Sequence, residues 1–148
     1  MKIISGGQTG ADQGGLAAGK ALGLETGGTA PYSFWTEDGS QVSLLKNYGL
    51  KEGEPDARIY PKRTKRNVLD SDGTVLFGNP DSPGSKLTIR YCKDCSKPYI
   101  ENPSPTRLRD WIKENNINIL NVAGNRESTN PGIFLFTKNI LLEALKEK

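Results

Sequence analysis

The sequence predicts an α/β fold, a Rossmann-like three-layer domain with a mostly parallel sheet. Short apolar segments typical of strands alternate along the chain with segments of helical periodicity. Glycines and prolines stand at the ends of these segments rather than in one tract. Three predicted helices begin with a capping residue followed by a proline at the first helical position, a pair that favours helix initiation. Strands that alternate with helices predict parallel pairing with right-handed crossovers.

The first strand at 2–5 leads into a helix from about Ala11 to Leu22, with Thr9 as its candidate N-cap. A second strand at 25–30 precedes a long irregular stretch. The remaining strands are predicted at 74–77, 97–100 and 117–122, and the remaining helices begin at Ser82-Pro83, Ser104-Pro105 and Asn130-Pro131. Ligands of such sheets bind beyond the carboxyl ends of the strands, so the loops after residues 4, 77 and 122 are expected to converge.

Length and composition limit the class of protein. The chain has 148 residues, enough for one well-buried core, and residues 1–148 are expected to form a single domain. Its net charge of +3 makes a nucleic-acid partner unlikely on electrostatic grounds. No apolar stretch approaches the ~20 residues that cross a bilayer, and no signal-peptide pattern is present. With two cysteines only, we expect a cytoplasmic protein without disulfides.

The absence of histidine restricts the chemistry. It removes the commonest general base and every Ser-His or Cys-His mechanism. Cys92 and Cys95 supply two of the four ligands that a structural zinc site needs, and no histidine can complete the set. No metal site is predicted.

The strongest functional signal is the glycine loop after the first strand, Ser5-Gly6-Gly7-Gln8-Thr9-Gly10. Glycines let the backbone turn sharply and expose N–H groups, which attract a phosphate at the start of a helix. The side chains of Gln8 and Thr9 can add hydrogen bonds. A tight strand-to-helix turn without a ligand is the alternative.

Asp12 lies in the first turn of the helix that follows this loop. A carboxylate at this position stabilises the helix but repels a nearby phosphate. It can instead bind a ribose hydroxyl, an amine or a Mg²⁺ ion held by the ligand. Simple capping explains the residue equally well.

A second signal, Asn121-Val122-Ala123-Gly124-Asn125-Arg126-Glu127-Ser128, lies between a predicted buried strand and a helix. Arg126 can donate a forked pair of hydrogen bonds to phosphate. Glu127 can orient Arg126 or accept from a sugar hydroxyl. A surface salt bridge between the two is the competing interpretation.

An ordered series of motifs resembles the molybdenum cofactor carrier family over nearly the whole chain. That family belongs to the SLOG group of Rossmann-like proteins, with the Lonely-Guy-type phosphoribohydrolases and DNA-processing protein A. The motifs are Ser5 to Asp12, Gly27-Gly28, Ala30-Pro31, Thr36-Glu37-Asp38-Gly39, Arg63-Thr64 with Asn67, Asp70-Ser71-Asp72-Gly73-Thr74, and Ala123 to Ser128.

The resemblance implies a set of ligand-binding residues. Gly6, Gly7, Thr9 and Gly10 are expected to contact phosphate. The residues implied to close the same pocket are Ser71, Asp72, Gly84, Ser85, Gly124, Asn125 and Arg126. In the basic run at 61–67, Thr64 and Asn67 are expected to point into the pocket, although a solvated loop is the common fate of such a run.

Two departures from the family pattern affect the ligand and the chemistry. The chain has Tyr32-Ser33-Phe34-Trp35 where basic residues and glycine are usual. The rings of Tyr32, Phe34 and Trp35 can stack on a base or a pterin, form a packing corner, or make a subunit contact. The glutamate of the related phosphoribohydrolases is missing after Gly84-Ser85, which disfavours glycosidic hydrolysis.

The predicted function is therefore non-catalytic binding of a phosphorylated, nucleotide-like or pterin-like small molecule. Molybdenum cofactor and a nucleotide are both candidate bound ligands. One alternative is a protein that sequesters a nucleotide-derived immune signal of the cyclic ADP-ribose type. Another is a nucleotide hydrolase of the phosphoribohydrolase type, with Asp12, Glu37, Asp72 or Glu127 as its base.

The resemblance also predicts a homo-oligomer, since pockets of the SLOG group often lie near subunit interfaces. The aromatic residues at 32, 34 and 35 suit a contact surface. Sedimentation velocity at micromolar concentration should therefore show a species larger than one chain. A monomer would contradict this prediction.

Overall fold

The computed structural model describes residues 1–55 and 60–146, so the predicted domain extends slightly beyond the described residues. The strands are β1 Lys2–Ile4, β2 Glu25–Ala30, β3 Trp35–Thr36, β4 Gly39–Ser40, β5 Leu50–Glu52, β6 Gly73–Phe77, β7 Tyr99–Glu101 and β8 Ile119–Gly124. The helices are α1 Ala11–Ala21, α2 Val42–Asn47, α3 Tyr60–Asp70, α4 Pro83–Asp94, α5 Pro105–Glu114 and α6 Ile133–Leu145.

Six of these strands form one parallel sheet in the order β5-β2-β1-β8-β6-β7. β1 pairs with β2 on one side and with β8 on the other, so Ile4 lies opposite both Gly27 and Asn121. β3 and β4 form a separate antiparallel pair. The predicted α/β fold with a parallel sheet is confirmed.

Alternate residues of the central strands distinguish the two faces of the sheet. Val75 and Val122 belong to an apolar core shared with α1, α5 and α6. Thr74 and Asn121 alternate with them and therefore point to the other face, where Asn121 Nδ2 donates to Thr74 Oγ1 at 3.2 Å. The Cys92 side chain of α4 bonds to Thr74 on that face, and α3 packs against α4. The sheet thus lies between two helical layers.

Small residues bring α1 close to the sheet and to α6, as the sequence predicted. A Cβ atom on Gly15 would lie 2.6 Å from Val122 Cβ, and one on Gly14 would lie 2.6 Å from the Phe134 carbonyl. A second, smaller core joins Leu16 of α1 to Leu45 of α2 and to Leu50 of β5. These contacts fix the direction in which α1 leaves the glycine loop.

The helix starts differ from prediction at two of four positions, those of α1 and α6. Ser104 caps α5 by accepting from the Arg107 N–H at 3.1 Å, as predicted. Ser82 occupies the N-cap of α4 but makes no side-chain cap, and α6 begins after Gly132 rather than at Asn130-Pro131. Gly10, not Thr9, is the N-cap of α1.

The long stretch expected to be irregular contains ordered elements: β3, β4, α2, β5 and α3. The basic run that was expected to form a loop lies in α3. This helix is largely polar, and Val68 and Leu69, its aliphatic residues, are adjacent in its last turn, so its sequence has no continuous apolar stripe. Its buried residues include Arg63, Asn67 and Val68.

Gly10→Ala should destabilise the fold more than Gly23→Ala. Both glycines have positive φ angles, 83° and 74°, so alanine costs about 1–2 kcal/mol at either position. Only at Gly10 would the added Cβ meet backbone, 2.4 Å from the Asn125 carbonyl, while Gly23 has no heavy atom within 4 Å. Crowding should add a further ~1–3 kcal/mol to the loss at Gly10. Equal losses in urea unfolding would contradict this account of the loop.

Candidate ligand-binding site

The glycine-loop pocket is a cavity of about 350 Å³ between the carboxyl ends of β1 and β8, one face of α3 and the start of α4. Nine predicted site residues line it: Gly6, Gln8, Asp12, Thr64, Asn67, Gly84, Gly124, Asn125 and Arg126. Arg63, Leu87 and Asn121 also line it but were not among the predicted site residues. Motifs that are far apart in sequence therefore meet at one cavity.

The N–H groups of the glycine loop are used inside the protein. Gly7 donates to Ser5 Oγ at 3.2 Å, and Thr9 donates to Gln8 Oε1 at 3.1 Å. Gln8 donates to Asp12 Oδ2 at 3.2 Å, and the Gly6 N–H also bonds to Asp12. The prediction that this loop presents its N–H groups to a phosphate is therefore corrected: the Asp12 carboxylate already occupies the position of the anion.

Asp12 is also surrounded by charge. Burial raises the pKa of this carboxyl to about 6, while Arg63, the two backbone donors and Arg126 oppose the rise. Arg63 is itself buried, and its Nη1 donates to the Gly6 carbonyl at 3.4 Å. Asp12 and the two arginines thus form one electrostatic group at the wall of the pocket.

Gln8 is held in a single orientation. Its Oε1 accepts from the N–H groups of Thr9 and Glu37, at 3.1 and 2.9 Å, which identifies this atom as the amide oxygen. Its Nε2 is buried and has no hydrogen-bond partner among the described residues. Buried donors without a partner are rare in folded proteins.

Three loop residues lie beside the pocket rather than on its wall. A side chain on Gly7 would meet Leu45 and Leu50 of the smaller core. Thr9 is buried, and Gly10 lies against the backbone of the loop after β8. Their predicted phosphate contacts do not fit these positions, because each residue packs against protein instead.

Glu37, in the turn between β3 and β4, joins the two loops that carry the site. Its carboxylate accepts from the hydroxyl groups of Thr9 and Ser128, and from the Ser128 N–H at 3.1 Å. These hydrogen bonds, chiefly those from Ser128 and Thr9, lower the pKa of Glu37. Sequence reasoning considered Glu37 only as a hydrolytic base; its partners make it a structural link.

Asn125 and Glu127 have structural partners as well. Asn125 Oδ1 accepts from the Asn79 N–H at 2.6 Å, and its Nδ2 donates to Ser82 Oγ at 3.0 Å. Glu127 lies outside the pocket lining and accepts from the N–H groups of Gly132 and Phe134, at 2.7 and 2.9 Å. It therefore caps α6, and the predicted contact with a sugar hydroxyl does not fit this arrangement.

The start of α4 opens into the pocket. Ser82, Pro83 and Gly84 line the cavity, and no side chain caps the first turn of this twelve-residue helix. The next residue, Ser85, is buried beneath it. The N-terminus of a helix carries a partial positive charge and unpaired N–H groups, which favour an anion. The start of α4 therefore has the features of an anion site that the glycine loop lacks.

The pocket face of α3 presents Arg63, Thr64 and Asn67. Asn67 is buried, and its side-chain amide pairs with both backbone groups of Thr29, at 2.8 and 3.0 Å. It therefore anchors α3 to β2.

Ser71 and Asp72 lie at the opposite end of the sheet, which corrects their predicted place in the pocket. They precede β6, so they stand at its amino end. Asp72 Oδ2 accepts from the N–H groups of Asn118 and Ile119, at 2.9 and 2.8 Å, just before and within β8. Ser71 Oγ donates to the Val68 carbonyl at 2.9 Å. Both residues stabilise the turns that lead into the two strands.

The three aromatic residues at 32, 34 and 35 do not line the glycine-loop pocket. Phe34 is buried in the smaller core with Leu45. Tyr32 and Trp35 are half exposed and line a different cavity. The prediction that these rings stack on a ligand in the glycine-loop pocket is therefore corrected, because none of them reaches that pocket.

Across residues 1–55 and 60–146, no group of three or more acidic or cysteine side chains could hold a metal ion. Burial raises the pKa of the Cys92 thiol, which opposes a reactive thiolate. The helices of the described part of the chain include none that is long and apolar enough to span a membrane.

The fold and this site define a Rossmann-like protein with a cavity at the carboxyl edge of its sheet. Residues 3–145 match the model of the circularly permutated YpsA SLOG family, and the chain belongs to that family. It is similar to a crystal structure described as "Putative molybdenum carrier protein" from Syntrophus aciditrophicus, with 33% identity and a TM-score of 0.87. The match covers 98% of this chain and 94% of that one. No curated protein matches the chain.

Asp12 should give the protein a distinctive pH dependence. Its pKa is raised from 3.8 to about 6 in the folded state. Between these values the folded protein retains a proton that the unfolded chain has lost, so the free energy of unfolding should fall as the pH rises from about 4 to about 6. Asp12→Asn should lack this contribution, whereas Asp38→Asn, at an exposed carboxylate, should retain it. Parallel curves for wild type and Asp12→Asn would contradict the assignment.

Proposed function

We propose that the protein is a carrier that binds a phosphorylated, ring-containing small molecule in the glycine-loop pocket and releases it unchanged. Membership of the SLOG family supports ligand binding at this edge of the sheet. The similarity to a protein described as a molybdenum carrier supports a carrier role. A pterin-like or nucleotide-like ligand is consistent with both.

The observation that carries the proposal is the unpartnered Nε2 of Gln8. Its Oε1 is occupied by two backbone donors, so rotation of the amide would exchange two good hydrogen bonds for two donor–donor contacts. The Nε2 group therefore remains an unsatisfied donor, buried within a residue that lines the pocket. A ligand oxygen or ring nitrogen would satisfy it.

The phosphate of the ligand is placed at the start of α4, facing Arg126. Three features of that position favour an anion: the uncapped first turn, the helix dipole and the arginine. Gly84 has no heavy atom within 4 Å of the place where its Cβ would lie, which leaves room for the group. Asp12 in the glycine loop would repel a phosphate placed there.

The size and lining of the pocket suit one ring system with one phosphate. A volume of about 350 Å³ lies at the lower end of the range for ligand pockets. Leu87 supplies apolar wall for a ring beside the polar groups. Guanosine 5′-monophosphate is a suitable probe, because guanine presents the same amide and amino edge as a pterin.

A nucleotide hydrolase is the second candidate, favoured by one observation. Asp12 lines the pocket, and burial raises its pKa to about 6, close to the value that suits a general base. Its carboxylate is held by the N–H groups of Gly6 and Gln8, however, and a base needs an oxygen directed at water. These contacts favour a structural role for Asp12 and hence a binder.

Gln8→Glu should weaken the binding of guanosine 5′-monophosphate by at least about 1.5–3 kcal/mol, the range for a hydrogen bond to a charged group. The substitution keeps an acceptor for the N–H groups of Thr9 and Glu37 and replaces only the donor Nε2. Gln41→Glu, the same change outside the pocket, should leave the affinity unchanged. Calorimetry should separate the two variants. Equal affinity of Gln8→Glu and wild type would remove Gln8 from the site.

The carrier and the hydrolase differ in what they release. A carrier should remove guanosine 5′-monophosphate from solution up to one equivalent per pocket and return it intact after heat denaturation and filtration. A phosphoribohydrolase would add water across the glycosidic bond and accumulate guanine and ribose 5-phosphate beyond one equivalent. We expect intact nucleotide by mass spectrometry. Turnover that is lost in Asp12→Asn would establish the hydrolase instead.

A further inference from the structure

A second cavity, of about 890 Å³, lies on the other side of α3 from the glycine-loop pocket. We call it the tyrosine–tryptophan cavity, after Tyr32 and Trp35 at its wall. The end of β2, the end of β5 and the outer face of α3 complete it. The glycine loop and the start of α4 contribute nothing to its lining.

α3 separates the two cavities by its helical period. Thr64 and Asn67 face the glycine-loop pocket, whereas Lys62, Arg66 and Leu69 face the tyrosine–tryptophan cavity. The spacing of the second set, four and then three residues, places its members on one face of the helix. Of the residues that the structure describes, Arg63 alone lines both cavities.

A strained turn holds the two rings at the surface. Ser33 and Phe34 both have positive φ angles, 60° and 53°, which non-glycine residues rarely adopt. The Ser33 N–H donates to Glu52 Oε2 at 2.7 Å, and this bond secures the turn against β5. Phe34 enters the core, while Tyr32 and Trp35 remain 51% and 48% exposed. Backbone strain of this kind is concentrated at functional sites.

The charge of the cavity is predominantly positive. Among the described residues, its lining includes five basic side chains and two acidic ones: Lys51, Lys62, Arg63, Lys65 and Arg66 against Glu52 and Glu54. Arg66 is paired with Asp70 at 3.0 Å. One of the acidic groups, Glu52, is engaged by Ser33. Leu69, 45% exposed, adds an apolar surface between the basic residues. Rings beside basic side chains are the combination that binds an aromatic anion.

We propose that the tyrosine–tryptophan cavity is a second binding site, for a planar aromatic ring that carries a phosphate or another anionic group. The ring stacks on Tyr32 and Trp35, and the anion lies against Lys62 and Lys65. This site is distinct from the glycine-loop pocket and does not depend on the function proposed for that pocket. Because Lys62 and Lys65 are exposed, binding should weaken as salt is added.

Trp35 provides a direct readout of this site. The chain has two tryptophans, and the other, Trp111, is 5% exposed in the core. Guanosine 5′-monophosphate should therefore quench the fluorescence of Trp35 while that of Trp111 remains as a constant background. Guanosine, which lacks the anion, should need about tenfold more ligand for the same quenching. Ribose 5-phosphate, which lacks the ring, should not quench.

Substitutions separate the contributions of ring and charge. Tyr32→Ala should raise the concentration for half-quenching about tenfold or more, the scale of one base–aromatic stacking contact. Lys65→Glu should raise the half-quenching concentration by a similar factor. Lys113→Glu, an equal change of charge at an exposed position of α5, should not. Phe136→Leu, at a ring 51% exposed in the opposite helical layer, should have no effect.

The outcomes distinguish this site from the glycine-loop pocket and from a subunit contact. Quenching that persists in Gln8→Glu supports a separate site, and quenching that disappears in that variant overturns it. The absence of quenching at millimolar nucleotide, or equal quenching in Lys65→Glu and Lys113→Glu, overturns it as well. Sedimentation showing a dimer that Trp35→Ala dissociates, without quenching by nucleotide, would assign the surface to a second copy of the chain.

Discussion

The contact between the Asp12 carboxylate and the N–H groups of Gly6 and Gln8 organises the whole site. It fills the concave side of the glycine loop with an anion that belongs to the protein, so the phosphate site that we propose lies elsewhere. The start of α4 is the position that remains, with its uncapped first turn and Arg126 nearby. The same contact determines the path of Gln8, whose amide is then held by two further backbone donors.

Segments distant in sequence hold this arrangement in place. Glu37 links the glycine loop to the loop after β8 through Thr9 and Ser128. Asn125 links that second loop to the start of α4 through Ser82. The walls of the pocket are therefore connected by side-chain hydrogen bonds, and its shape is largely set before a ligand arrives. Such preorganisation lowers the cost of binding and suits a carrier.

Sequence reasoning predicted that these loops converge, because they follow strands whose apolar residues are easily recognised. It could not decide which groups of a loop face the ligand, since Gly6 and Gly7 differ only in the neighbours that tertiary packing supplies. It missed α3, whose sequence is dominated by charged and polar residues and contains few apolar ones. The wrong prediction that Ser71 and Asp72 lie in the pocket was avoidable, because residues that precede a strand lie at its amino end, opposite the site. The separation of Tyr32 and Trp35 from the pocket depends on α3 and could not be read from the sequence.

A crystal structure of the complex with guanosine 5′-monophosphate tests the central claim most directly, because it shows where the phosphate lies. The account predicts phosphate density at the first turn of α4, beside Gly84 and Arg126, with Gln8 Nε2 within hydrogen-bonding distance of the ligand and Asp12 still bound to the Gly6 and Gln8 N–H groups. A phosphate seated in the glycine loop, with the Asp12 carboxylate displaced from it, would contradict the account.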